Sequence, residues 1–88
     1  MRVELDGRCM DSRQALHAHL AERLQLPAYY GRNLDALFDL LTERSEDTEI
    51  VVTHWEALEQ NRGHYAAALM DTLYDAAKEN PKLQISVK

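Results

Sequence analysis

Three short apolar runs, kept apart by helical stretches, constrain this chain more than any other feature. MRVELD, residues 1–6, alternates with Val3 and Leu5 on one side, and Gly7 ends the run. EIVVT, residues 49–53, is compact and rich in β-branched residues, as a buried strand is. LQISV, residues 83–87, alternates again. Strands separated by helices cannot be hairpins, so the sheet is expected to be parallel, with right-handed crossovers. The expected order is β-α-α-β-α-α-β, a small two-layer α/β domain with a three-stranded parallel sheet and about four helices.

The helical stretches carry their own boundaries. Asp11 followed by Gln14 predicts a capping box, and Leu16, Leu20 and Leu24 recur at helical spacing over 12–25. Pro27 closes that helix, because the residue before a proline is pushed out of the helical region. Ala28 to Arg32 form a connecting loop. Asn33 is an N-cap for a second helix over 34–43, with Leu34, Leu37, Leu40 and Leu41 on one arc. Asp35, Asp39 and Glu43 fall on the opposite arc, with Phe38 at the border. ERSEDT reads as a polar loop, WEALEQ as a short helix and NRGH as a further loop. A longer helix then runs from Tyr65 to Asn80, turning Ala66, Leu69, Met70, Leu73 and Ala77 inward before Pro81.

Eighty-eight residues make one domain, 1–88, with a single core and no room for a deep internal cleft. Cys9 is the one cysteine, so no intrachain disulfide can form, and a reducing compartment is expected. The beginning of the chain lacks an apolar run of signal-peptide length, and nowhere do 18 apolar residues follow one another. A soluble cytoplasmic protein is the expectation.

Charge is distributed unevenly. Between Asn33 and Glu49 stand six acids against one base, Arg44, while the rest of the chain holds nine of each. The whole net charge of −5 therefore sits on the second helix and the loop after it. A nucleic-acid binder shows the opposite sign in a patch, and an anionic membrane surface would repel this face. The favoured partner is basic.

Few residues offer chemistry of their own. Asp35 with Asp39, or Asp39 with Glu43, could form a hydrolase pair, but such carboxylates act across a cleft from different elements. One turn of one helix gives a convex surface instead. His17 and His19 point to different faces of their helix, His54 precedes a short helix and His64 lies in a loop; most such histidines are surface or cap residues. Neither HExxH nor an EF-hand spacing is present, so no metal or cofactor is expected. Cys9 has no activating partner in the sequence.

The acidic stripe carries more information. Like charges at i and i+4 cost about 0.2–0.5 kcal/mol per pair. Asp35 recovers something from the helix dipole, whereas Asp39 and Glu43 stand too far along to do so. A solvated helix face is the plain explanation, but unrelieved repulsion makes sense where a cationic partner supplies the compensation. Tyr29 and Tyr30 are adjacent, so one belongs in the core and the other projects beside the acidic helix. An exposed aromatic next to carboxylates is the composition of a binding hot spot. Gly31 permits a tight turn and close backbone approach.

Taken together, LPAYYGRNLDALFDLLTE, residues 26–43, resembles the signature segment of the barstar family, intracellular inhibitors of barnase-type secreted ribonucleases. The match runs unbroken through Leu26, Pro27, the tyrosine pair, Gly31, Asn33 to Leu37, Phe38 and Asp39. The resemblance implies a 1:1 inhibitor, not an enzyme, whose loop and second helix plug the ribonuclease active site. Asp39 would then occupy the place of a substrate phosphate, facing arginines and a histidine, and Asp35 would pair with a neighbouring cation. Tyr29 would pack on the catalytic histidine, with Gly31, Asn33 and Thr42 making hydrogen bonds or close backbone contacts. Asp75, on the last helix, would add a peripheral ion pair. Phe38 replaces a tryptophan of the best-known member, and Glu43 and Arg44 replace a glycine and a tryptophan. An immunity protein against another basic toxin nuclease, or an acidic adaptor domain for a non-nuclease partner, is the alternative.

Overall fold

Parallel pairing dominates the architecture, as the strand–helix alternation requires. The computed structural model describes residues 1–88, with strands β1 (Arg2–Asp6), β2 (Thr48–Thr53) and β3 (Leu83–Val87). Their spatial order is β1-β2-β3, and both pairings are parallel. The register sets Val3 beside Ile50 beside Ile85, and Leu5 beside Val52 beside Val87. This apolar face packs against Leu16, Leu20 and Leu24 of helix α1 (Arg13–Leu24), Leu37 and Leu41 of α2 (Leu34–Thr42), and Leu58, Leu69 and Leu73 of α3 (Trp55–Glu79). Alternate strand residues point the other way, so Arg2, Glu49 and Gln84 form one row of the opposite face and Glu4, Val51 and Ser86 the next.

Three helices stand where four were expected. WEALEQ and the stretch from Tyr65 are not separated by a loop: hydrogen bonding runs on through NRGH, broken only at Gly63, whose φ of +30° and ψ of −105° leave the helical region. Glycine alone adopts that backbone without a steric penalty, so one residue produces a kink in place of a loop. The capping expectation for α1 also shifts by one residue. Ser12, not Asp11, adopts the extended N-cap backbone, and its hydroxyl oxygen accepts the Ala15 N–H at 3.0 Å. Serine is as good a cap as aspartate, and here the chain enters the helix one residue later than a capping box would place it.

The first strand turns sharply into a single 3₁₀ turn, Gly7–Cys9. A side chain at Gly7 would lie 2.2 Å from the His54 carbonyl oxygen, so this close approach excludes every other residue. Buried Asn80, at the end of α3, ties the layers together near α2. Its Nδ2 donates to the carbonyls of Leu41, at the end of α2, and of Arg44, just beyond it, both at 2.9 Å.

Candidate functional site: the α1–α2 loop and the outer face of α2

The backbone of the loop before α2 is held at several points. Gln25 ends α1 in the left-handed region, and Leu26 N–H returns to the Ala21 carbonyl. Tyr30 N–H then closes a turn on the Pro27 carbonyl at 3.0 Å. Arg32, at φ +55°, makes the second left-handed step; Gly31 does not use that freedom, contrary to the idea that glycine supplies the turn. Asn33 locks the entry to α2 with both ends of its amide. Its Oδ1 accepts the Ala36 N–H at 2.7 Å, and its Nδ2 donates to the Gly31 carbonyl at 3.2 Å. One amide hydrogen of Asn33 remains for a partner. A side chain on Gly31 would press on Asn33 Nδ2 at 3.2 Å, so the glycine serves the cap.

The two tyrosines separate as their adjacency demands. Tyr30 is 6% exposed and belongs to the core, while Tyr29 is 80% exposed, the most exposed of the large apolar side chains. Tyr29, Gly31, Asp39, Leu40 and Glu43 border a shallow depression of about 250 Å³. An exposed ring, two carboxylates and the Gly31 backbone thus border one depression. Asp35, Asp39 and Glu43 are all exposed, and none has an ion-pair partner within the chain.

Arg44, the one base in the acidic window, is withdrawn from it. Only 15% of its side chain is exposed. The guanidinium donates to Thr48 Oγ1 at 2.8 Å and to the Leu24 carbonyl at 3.0 Å, with Glu46 at 3.8 Å. It therefore fastens the loop after α2 to the end of α1 and leaves the stripe uniformly negative. Phe38 is half-buried against the core. Thr42 spends its hydroxyl proton on the Asp39 carbonyl at 3.1 Å and keeps acceptor capacity. Asp75 stands apart on α3, beside Lys78 at 3.7 Å, and does not border the Tyr29–Asp39 depression. Asp35 does not border it either, so Asp35 and Asp39 do not face each other across a cleft as hydrolase carboxylates would.

Sequence reasoning missed the support behind the loop. His17 is not a surface or cap residue: it is 2% exposed, with Nδ1 2.6 Å from the Tyr30 hydroxyl and Nε2 2.6 Å from the Tyr65 hydroxyl. A neutral imidazole offers one N–H and one lone pair, so one tyrosine accepts from it and the other donates to it. Burial, then the charges of Arg13 and Arg32, lower the His17 pKa, while burial raises that of Tyr30. The available signal was position: His17 lies two turns before Leu24, on the same buried face of α1. His19 is half-buried and also neutral in role, its Nε2 accepting the Asp6 N–H at 3.0 Å.

Comparison with known proteins places this geometry in context. The model of the family described as Barstar (barnase inhibitor) matches residues 1–88. The chain is also similar to the Bacillus subtilis (strain 168) protein named "Putative ribonuclease inhibitor YrdF". The two are 34% identical over 79 residues, covering 89% of this chain and 87% of that protein.

Proposed function

This chain belongs to the barstar family, and from that premise we propose that it inhibits a basic, barnase-type microbial ribonuclease inside the cell, in a 1:1 complex. The observation that carries the proposal is the depression between exposed Tyr29 and Asp39, on a helix face whose carboxylates have no cation of their own. A ribonuclease groove holds cations where RNA phosphates bind. Asp39 takes a phosphate's place there, at the mouth of the depression, and Tyr29 packs on a catalytic side chain. Asp35, one turn earlier, meets a cation at the edge of the groove.

Pre-organisation favours this mode. The backbone of α2 is already helical and capped by Asn33, so the segment that carries the carboxylates need not fold on binding. The same like-charge field draws in a basic enzyme, and opposite potentials raise association rates at low salt. Gly31 at the depression, with Asn33 and Thr42 at either end of α2, adds backbone and hydrogen-bond contacts. Phe38, half-buried on the same helix, adds apolar contact, and Asp75, near Lys78, contributes least.

Equimolar titration into a barnase-type microbial ribonuclease, following RNA cleavage at low and moderate salt, tests the proposal. Activity is expected to fall to zero at one equivalent, with association faster at low salt. Full activity at both salt concentrations would refute the barnase-type target and direct the search to another basic toxin nuclease.

A further inference from the structure

A second depression lies on the other side of the same loop. Arg13, Gln14, His17, Arg32, Asn33 and Tyr65 line a depression of about 340 Å³. Tyr30 and Gly31 border the acidic depression and the next two residues, Arg32 and Asn33, border this one, so the loop forms the divide between them. Neither Arg13 nor Arg32 has an ion-pair partner, although the chain as a whole is acidic. Two uncompensated guanidiniums at the rim of a surface meant for a basic enzyme would weaken binding unless the enzyme supplies the opposite charge there.

The Arg13 side of this depression is braced. The Arg13 guanidinium carbon stands 4.1 Å from the centroid of the Tyr65 ring, within cation–π range. The Tyr65 hydroxyl is bound to His17, which is bound in turn to Tyr30 of the loop. Arg32 follows with a left-handed backbone, and Asn33 is held by its cap. Arg13, Tyr65, His17 and Tyr30 thus form a continuous series of contacts from the basic depression to the residue beside Tyr29. A guanidinium suits a planar carboxylate, which it can bind through two N–H groups.

We propose that Arg13 and Arg32 form a carboxylate-binding subsite for an aspartate or glutamate of the target ribonuclease, placed beside its phosphate-binding groove. This rests on the ribonuclease-inhibitor reading. The subsite makes the recognised surface two-signed: cations meet Asp35 and Asp39, and an acid meets the arginines. It selects among basic ribonucleases by the presence of that acid. A polyanion such as RNA is a poor occupant, because the unpaired α2 stripe next to the depression repels a continuous phosphate backbone.

The test compares the wild type with Arg32→Gln, Arg13→Gln, the double variant and Asp39→Ala, measuring Kd for the ribonuclease that the wild type inhibits. Each single arginine variant is expected to bind about 5- to 10-fold more weakly, and the double variant about 50-fold, the range of charge pairs at interfaces. The sign decides the matter. Unchanged or tighter binding of the glutamine variants would show that the arginines only repel a basic enzyme, and the proposal would fall. Loss of binding in Asp39→Ala alongside that result would leave the acidic site standing. If the wild type inhibits no ribonuclease, the inhibitor reading fails by itself. Arginine Nε–H resonances of the intact chain, titrated with a tetraglutamate peptide, then test the subsite separately. Saturable shifts at Arg13 and Arg32, without shifts at Arg62, would support it, and their absence would overturn it.

Discussion

Two faces of the molecule are rich in carboxylates, and they treat them differently. On the outward face of the sheet Glu4 and Glu49 both stand within 4 Å of Arg2, at 3.9 and 3.7 Å. Asp6 has Arg8 at 2.9 Å and His54 at 3.2 Å. On the outer face of α2, Asp35, Asp39 and Glu43 have no such neighbour, and Arg44, which follows Glu43 in the chain, is turned back toward Thr48 and Leu24. The sheet's charges are compensated within the chain, whereas those of α2 have no partner within it. Exposed ion pairs contribute little to stability, so the contrast is of small consequence for folding. Its importance is for binding, because a charge that is already paired must be released before a partner can use it.

The sharpest way to break this comparison is to remove a carboxylate from each face. Asp39→Ala is expected to weaken ribonuclease inhibition by more than about a hundredfold, the scale of charged hot spots, for which barstar-type interfaces are themselves a reference case. Its melting temperature should stay the same or rise slightly. A large loss of stability would mean that Asp39 belongs to the fold.

Asp6 is the counterpart, and its effect should appear in stability and not in inhibition. Hydrogen bonds from Arg8 hold its carboxyl down to about 2, against an ordinary value of 3.8. A depressed acid stabilises the fold above its unfolded pKa, and that contribution disappears as the pH falls from 3.8 toward 2. Asp6→Asn should cost about 1 kcal/mol at neutral pH, since the Arg8 partner is largely in water. The variant should also lose that acid step in urea unfolding followed against pH. His17 and His19 act at higher pH in the same direction. Both have pKa values lowered by burial, so stability is expected to decline as the pH drops below 6.5, the region where the unfolded chain takes up protons.

Glu43→Gln gives the smallest effect and refines the comparison. Glu43 caps the C-terminal end of α2, where the helix dipole is negative, and stands one turn after Asp39. Neutralising it should raise stability by about 0.3 kcal/mol, as relief of one like-charge pair does. Thermal unfolding at low and high salt would measure this, and the gain should shrink as salt screens the repulsion. A loss of stability at low salt would show that Glu43 has a partner of its own.

Much of this was legible before any coordinates. The Asn33 cap, the leucine arc of α2, the opposed acids and the division of the tyrosine pair all follow from local periodicity and adjacency. Three features were not legible, for related reasons. Gly63 makes a kink where NRGH suggested a loop, because a single left-handed residue and a true loop look alike in composition. Arg44 reads as part of an acidic patch until the positions of Leu24 and Thr48 are known. His17 reads as a surface histidine until Tyr65, far along the chain, is brought to its ring.

The order of strands and helices, the parallel sheet and the acidic stripe are set by periodicities of two and 3.6, which act over a few residues and can be read along the chain. Which charges remain unpaired is a different kind of fact. It depends on side chains from distant segments meeting within a few ångströms, and packing decides that. The sequence by itself determined where the carboxylates of α2 stand and which way they face. Only the tertiary structure decided that Arg2 neutralises the sheet, that Arg44 leaves α2 unneutralised, and that Arg13 and Arg32 share a depression beside it.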